Sequence, residues 1–584
     1  MARSAWRPDS RRWVVAPPFE GAGALARAAG VPPLVASLLH HRGIDDPDAA
    51  RAFLSPRLTD LHDPELLGGA AAAAQRIARA VAERRRIVLY GDYDVDGITG
   101  VAILHSVLTM VGADVHYYVP HRLEEGYGVN LQAMRKLIAD GANLMVTVDC
   151  GIGAFEPIAE ARAAGVDVIV TDHHTPGETL PDACEIVHPC LPAGQYPNAH
   201  LSGAGVAFKL AWQVARAVCG NHRVSEPMKD FLLEATCLAA LGTIADVVPL
   251  VGENRALAMH GLRGLPAVRR AGVRALIESA GLTGEKIDAY HVGFVLAPRL
   301  NACGRMGHAR LAVELLTDAP ESRCRKIAAY LNAQNAERQR VERAIADEAV
   351  QLVRDRGWDT PDHRVLVLAG DDWHSGVVGI VASRLVREFS RPAILIAVNG
   401  DGVGQGSARS IPGFHMRDAL AACGKHLLSF GGHAMAGGLR IDRANLDAFT
   451  RAMSAVGAER ITPEQLTPAL EIDAETTLAQ LTPPAVACID RMAPFGQGNP
   501  APRLAVRGCR ILVPPKRIGR TGSTVSLFLG QGESSLRAVG FQMGELVDAL
   551  AGAKAVDVVG RPMLNRYAGQ TTVELHLEDA RRLE

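Results

Sequence analysis

From residue 71 to residue 172 the chain alternates helical stretches with short runs that are apolar on both faces. AAAAQRIARAVAERR reads as a helix, RIVLY as a strand, ITGVAILHSVLTMVG as a helix, DVHYYV as a strand, NLQAMRKLIADG as a helix, LMVTV as a strand, AFEPIAEARAAG as a helix and VDVIVT as a strand. A strand without a polar face needs cover on both sides. Helices of ten or more residues between such strands, several closed by glycine, supply that cover, so the pattern dictates βαβ units around a parallel sheet.

At 584 residues the chain exceeds what one hydrophobic core serves, and its pattern changes along its length. Residues 1–70, Pro-rich with short helical patches (ALARAAG, PLVASLLHHRG, DAARAFLSP), read as an N-terminal extension packed on the domain next in the chain. Residues 71–319 are the first α/β domain. Residues 320–357 lack Pro after the first position and carry a thin apolar stripe at Ile327, Leu331, Val341, Ile345 and Val350, the mark of one long, mostly solvated helix joining two domains. A second α/β domain spans 358–464 and includes RVLVLAG, VGIVASRLVREF, PAILIAV and the glycine-rich GQGSARSIPG and FGGHAMAGG. From 465 to 584 the short strands RLAVRGCRIL, STVSLFLG, LRAVGF, AVDVVGRPML and TTVELHL suit an OB-like β-barrel.

Charge and cysteine usage narrow the function classes. Lys and Arg number 62 against 63 Asp and Glu, so a polyanion has to be held by a local patch. Residues 501–584 offer one, with 12 Lys and Arg against 8 Asp and Glu, a net +4 suited to tracking a phosphate backbone. Phe528, Phe541 and Tyr567 are the aromatics available there for stacking; a barrel that only packs against its neighbours is the other reading. The ten cysteines include no CxxC pair, which argues against a zinc finger or a disulfide framework. No apolar run reaches the length of a membrane span and no signal sequence opens the chain, so a cytoplasmic location without membrane attachment is expected.

Ligands of open parallel sheets bind beyond the carboxyl ends of the strands, and acids stand at those ends. RIVLY leads to Asp92, Asp94 and Asp96, LMVTV to Asp149, and VDVIVT to Asp172, His173 and His174, while Asp246 lies beyond the apolar helix FLLEATCLAAL. Any one of these aspartates has an ordinary reading as an N-cap or turn residue. Together they are harder to explain, because clustered carboxylates raise one another's pKa unless a cation lies between them. Aspartate oxygens with imidazoles and no thiolate favour Mn²⁺ or Mg²⁺, and four or five carboxylates suffice for two ions about 3.5–4 Å apart that drive hydroxide attack on a phosphate.

GDYDVDG, VDCG, TDHH and GTIADVVPL, in this order and spacing, resemble the four signature motifs of the DHH phosphoesterase superfamily. PHRLEEGYG, LSGAGVAFK, PRLNACGRMGH, the long helix, GQGSARS and FGGHAMAGG further resemble its branch of bacterial exonucleases specific for single-stranded DNA, over about residues 70–584. The resemblance implies a DHH domain, a DHHA1-like second domain, and 5′ to 3′ release of mononucleotides with two Mn²⁺ or Mg²⁺ ions in DNA repair and recombination. It further implies that Asp94, Asp96, Asp149, His173 and Asp246 are ligands, with Asp149 bridging and Asp92 a further candidate. His174 would face the scissile phosphate as a hydrogen-bond donor or proton shuttle. Arg122, Arg299, Asn301, Arg305, Ser407 and Arg409 are the expected phosphate contacts, and Gly431, Gly432 and His433 a substrate-gripping loop. A pocket for the 5′ phosphate beyond the ions would set the polarity. Single-stranded DNA is the implied ligand of a monomer, with a helicase and a single-strand-binding protein as expected partners.

One position departs from the resemblance, since His188 stands where Asn is expected; it either approaches the site or fills a loop. Tyr90 stands where a DHH pyrophosphatase would carry a metal-binding His, which argues against that activity. Two other readings remain: a phosphodiesterase acting on oligoribonucleotides or cyclic dinucleotides, which leaves about 120 C-terminal residues without a role, and a non-catalytic single-strand-DNA-binding scaffold, which the intact acids disfavour.

Overall fold

The computed structural model describes residues 11–583 apart from 122–124, 127, 192–193, 221–222, 307–308, 318 and 568, and apart from the side chains of Arg305 and Met306. The expectations for Arg122 and for the Arg305 guanidinium therefore lie outside the described residues. The chain forms two compact units. One comprises Ser55–Arg338 with Ala493–Pro500; the other comprises the N-terminal segment to Leu54, Gln339–Met492 and the chain from Ala501 onward.

The first unit is built on a five-stranded, all-parallel sheet in the order Val115–Tyr118, Ile87–Gly91, Leu144–Val148, Asp167–Thr171, Glu185–Val187. Every residue of Ile87–Gly91 and Leu144–Val148 is buried, as strands apolar on both faces require. The edge strand Glu185–Val187 was not expected, because three residues are too few to carry a periodic signal. Helix Val95–Met110 starts one turn earlier than the apolar pattern suggests, because Asp94 caps it. It is buried at every position from Val95 to Leu108 and shares one core with helices Gly203–Cys219 and Glu226–Ala245.

In the second unit a mixed sheet runs in the order Ser429–Gly432, Ala436–Asp442, Val403–Arg409, Ala393–Val398, Leu366–Gly370, parallel only at its last pair. The glycine-rich stretches are thus strands rather than loops. Five strands, Leu504–Ile518, Thr524–Gln531, Ser534–Gly540, Ala555–Tyr567 and Gln570–Leu583, close into a barrel, the first pairing with both the second and the fourth. The third and fifth pair in parallel, which is OB topology. The N-terminal segment does not pack only on its neighbour in sequence: Arg12–Val15 adds in parallel to Ala469–Ile472.

The long helix runs over Glu321–Asp355. It is less solvated than its stripe suggests, because small residues complete two buried faces. Cys324, Ile327, Ala328 and Leu331 join the core of the first unit, and Ile345, Ala346, Ala349 and Val353 join that of the second. No single described helix is long and apolar enough to cross a membrane.

Candidate metal centre

The sheet register aligns the acids. Gly91, Val148, Thr171 and Val187 lie in one row, and the next residue of each strand extends the ladder by one bond. Asp92 N–H donates to Val148 O, Asp149 N–H to Thr171 O and Asp172 N–H to Val187 O, at 3.2, 3.0 and 3.2 Å. Asp92, Asp149, Asp172 and His188 therefore emerge side by side at the carboxyl edge of the sheet.

Asp94 serves the ordinary purpose considered for it, since one carboxylate oxygen accepts from Asp96 N–H and Gly97 N–H at 2.9 and 3.3 Å. That bond turns Asp96 inward. Its two oxygens accept from the backbone N–H groups of Gly203 and Ala204, at 2.5 and 2.9 Å, at the start of the Ser202-capped helix Gly203–Cys219. Small residues make this approach feasible: a Cβ on Gly203 would lie 2.5 Å from Asp149 Oδ1, and one on Gly242 would lie 2.4 Å from Asp96 Oδ1. Asp246 closes the cluster from the C-cap of helix Glu226–Ala245.

His173 is the point of convergence. Its Nε2 lies 3.1 Å from Asp149 Oδ1, 3.5 Å from Asp246 Oδ2 and 3.8 Å from Asp96 Oδ2. Three overlapping groups, Asp92–Asp94–Asp149, Asp96–His173–Asp246 and Asp149–His173–His174, hold their donor atoms within 4.8 Å of one another. Burial, followed by repulsion from Asp94, raises Asp96 to about 7; burial and the charges of Asp96 and Asp94 raise Asp246 to about 8 and move Asp149 upward too. Burial and the neighbouring His174 lower His173 to about 4, leaving a neutral imidazole. Its Nε2 and Asp149 Oδ1 are buried polar atoms without a hydrogen-bond partner among the described residues. Carboxylates that resist ionisation, together with a neutral imidazole whose Nε2 is turned toward them, are the chemistry a divalent cation completes, and the oxygen-rich donor set suits Mn²⁺ or Mg²⁺.

His174 differs from its neighbour. Burial opposes its charge, but Asp172 accepts from its Nδ1 at 2.7 Å and holds it positive, with a pKa raised to about 9. Asp172 orders the loop, accepting also from the N–H groups of Ile152, His173 and His174. His188 is fully buried behind that loop: its Nδ1 accepts from Cys190 N–H at 3.0 Å, so its Nε2–H donates to His174 O at 2.8 Å. The Tyr90 hydroxyl is engaged by backbone, accepting from Asn130 N–H and donating to Gly128 O.

The expected phosphate contacts divide between the units. In the first, Asn301 accepts from Val95 N–H at 3.1 Å, buttressing the corner that carries Asp94 and Asp96. Arg299 donates to Asn332 and to Val295 O, and so is tied within its own helices. In the second unit Ser407, Gly438 and Gly431 lie in one row across three strands, and Arg409 lies with Ser407 over Gly379. Gly431, Gly432 and His433 belong to a hairpin, and position 432 calls for glycine twice over, with a φ of 139° and a Cβ that would meet Ala436 O at 2.4 Å. In the barrel Phe528, Phe541 and Tyr567 are all exposed, Tyr567 to 81%. The backbone donors of Gly203 and Ala204 are not apparent from residue types; Ser202 before three small residues is the available sign of a helix N-terminus ready for an anion.

Acids and imidazoles at the carboxyl edge of a parallel sheet, with a second α/β domain beyond a long helix, define a DHH phosphoesterase. The DHH family, N-terminal domain, matches residues 86–240, the DHHA1 domain residues 362–459 and the RecJ OB domain residues 472–579. The single-stranded-DNA-specific exonuclease RecJ of Bacillus subtilis is 37% identical over 97% of this chain and 70% of its own length. The crystal structure of RecJ in complex with Mn²⁺ from Thermus thermophilus superposes with a TM-score of 0.83 at 33% identity, over 99% of this chain and 80% of that one. The corresponding Mg²⁺ complex gives 0.77 at 32%, over 99% and 79%. The chain belongs to the RecJ family.

Proposed function

We propose that the chain is a single-stranded-DNA-specific exonuclease that works from the 5′ end, releases mononucleotides and acts in DNA repair and recombination. The observation that carries this reading is the convergence of Asp96, Asp149, His173 and Asp246 on one point, in a chain that also possesses a basic OB barrel. Asp94, Asp96, Asp149, His173 and Asp246, with Asp92 as a further candidate, would hold the Mn²⁺ or Mg²⁺ ions. When bound, the ions supply an activated water and neutralise charge developing on the phosphate.

The chain's own groups do the rest. His174, kept cationic by Asp172, donates from Nε2 to the scissile phosphate or protonates the leaving oxygen. Asn301 holds the first acidic motif in place, and Arg122, Arg299 and Arg305 neutralise phosphates in the first unit. Ser407, Arg409 and the Gly431–Gly432–His433 hairpin grip the strand from the second. The protein acts as a cytoplasmic monomer, alongside a helicase and a single-strand-binding protein.

The test offers 5′-phosphorylated single strands, duplex DNA, a cyclic dinucleotide and pyrophosphate to the protein with Mn²⁺. Mononucleotides released only from the single strand, and lost in Asp149→Ala, are the expected outcome. Turnover of the cyclic dinucleotide alone would assign a phosphodiesterase instead, and binding of single strands without turnover a scaffold.

A further inference from the structure

Helix Glu226–Ala245 ends on Asp246, and the next residue, Val247, adopts a φ of 62°. Left-handed backbone after a helix C-cap is the place of glycine or asparagine, because a Cβ there crowds the preceding carbonyl. A β-branched residue is the least suited to it, and Val247 is the only one among the six non-glycine residues with positive φ in the described chain. Burial does not hold it there: the residue is 63% exposed. The connection around it is fixed at both ends, by Asp246 N–H to Gly242 O at 2.9 Å and by Leu250 N–H to Gln497 O at 2.8 Å, so the turn is imposed and the side chain is what needs explaining.

Strain of this kind, unsupported by any packing gain, marks positions with a use outside the folded chain. Here the residue before it, Asp246, belongs to the candidate metal centre, its Oδ2 3.5 Å from His173 Nε2, and such groups can hold the ions that bind a phosphate but offer nothing apolar to the sugar attached to it. We propose that Val247 is a substrate-positioning residue whose isopropyl group packs against the deoxyribose of the nucleotide at the metal centre. The inference rests on the exonuclease reading above. It carries a specificity consequence, because a ribose 2′-hydroxyl pressed on an isopropyl group would lose water without gaining a partner.

The test compares the wild type with Val247→Gly and Val247→Ala, using Mn²⁺, a 5′-phosphorylated oligodeoxynucleotide, the RNA of the same sequence, and thermal melting. Val247→Gly is expected to melt about 2 °C higher through relief of strain. It is also expected to lose about tenfold in kcat/KM on DNA, the worth of one buried isopropyl contact, while the slower RNA rate and the Mn²⁺ affinity stay within about twofold. Val247→Ala should lose a similar factor without melting higher. Full DNA activity in the glycine variant would overturn the proposal, as would an equal fall on RNA or a fall in Mn²⁺ affinity that accounts for the lost rate. A wild type that leaves single-stranded DNA intact would instead remove the exonuclease reading, and this inference with it.

Discussion

His188 illustrates how much of the centre depends on residues that do not face it. Its buried ring links the backbone of Cys190 to that of His174 through two partly buried bonds. His188→Ala leaves a carbonyl and an N–H unsatisfied, at a cost of about 2 kcal/mol, and lets the His173–His174 loop shift. His188→Asn retains one acceptor and one donor at similar reach, so we expect it to recover most of the stability and kcat that the alanine variant loses, as read by melting and turnover side by side. The titration of the cluster gives a second prediction. Asp96 and Asp246 ionise near 7 and 8 when folded, against about 3.9 in an unfolded chain. Between those values the folded protein holds protons that the unfolded chain has released, so metal-free stability falls as pH rises from about 4 to 8. His174, raised to about 9, acts in the same sense above its ordinary value, and His173, lowered to about 4, opposes it only below about 6.5. Mn²⁺ displaces those protons, so its stabilisation should be larger at pH 8 than at pH 6 and accompanied by proton release in calorimetry. Both effects should flatten in the double variant Asp96→Asn, Asp246→Asn. The acids and the His pair were legible because strand ends announce them. The backbone donors that hold Asp96 were not, since no residue type distinguishes an N–H that meets a carboxylate from one that does not.

At the scale of elements, legibility followed length and sequence distance. The two-sided strands of five residues and the helices alternating with them announced themselves, whereas Glu185–Val187 is too short to do so, and the longer helices Gly203–Cys219 and Gly252–Gly264, outside that alternation, drew no expectation. The glycines of GQGSARS look like loop signals, yet they lie in a strand because packing leaves no room: a Cβ on Gly406 would sit 2.8 Å from Leu439. The N-terminal strand was illegible for another reason, as its partner is far away along the chain. Trp13, one residue into it, donates from Nε1 to the buried Asp579 at 2.7 Å, with the guanidinium groups of Arg581 and Arg507 at 4.3 and 5.0 Å from its ring. Two cation–π contacts and a hydrogen bond to a carboxylate together are worth about 2–4 kcal/mol. Trp13→Ala should therefore expose Arg12–Val15 and Ala469–Ile472 to hydrogen exchange and lower barrel stability by about that amount. Trp13→Phe, which keeps the ring and loses only the N–H, should fall between the two.

At the scale of the whole molecule a net charge of −1 conceals a division of labour between an acid centre that needs cations and a barrel that carries them. Five of the twelve Lys and Arg in residues 501–584 are engaged in ion pairs among the described residues. Arg503 and Arg561 pair with Glu578, Arg507 with Glu475 and Asp557, Arg517 with Asp548 and Arg537 with Glu574. Lys516 and Arg520, where the first strand leads into the second, and Arg566, at the tip of the fourth, are exposed and in no ion pair among the described residues. Arg566 adjoins Tyr567, the most exposed large hydrophobic residue of the described chain. These are the two loop regions with which OB folds hold single strands. If the three cations each meet a phosphate, the slope of log affinity for single-stranded DNA against log salt should flatten by about 2 when all three become alanine. The rate at saturating DNA should stay near the wild-type value, because the acids of the candidate metal centre lie in the other unit. An unchanged slope would mean that the strand is tracked by some other surface and that the barrel's excess charge serves only its own ion pairs.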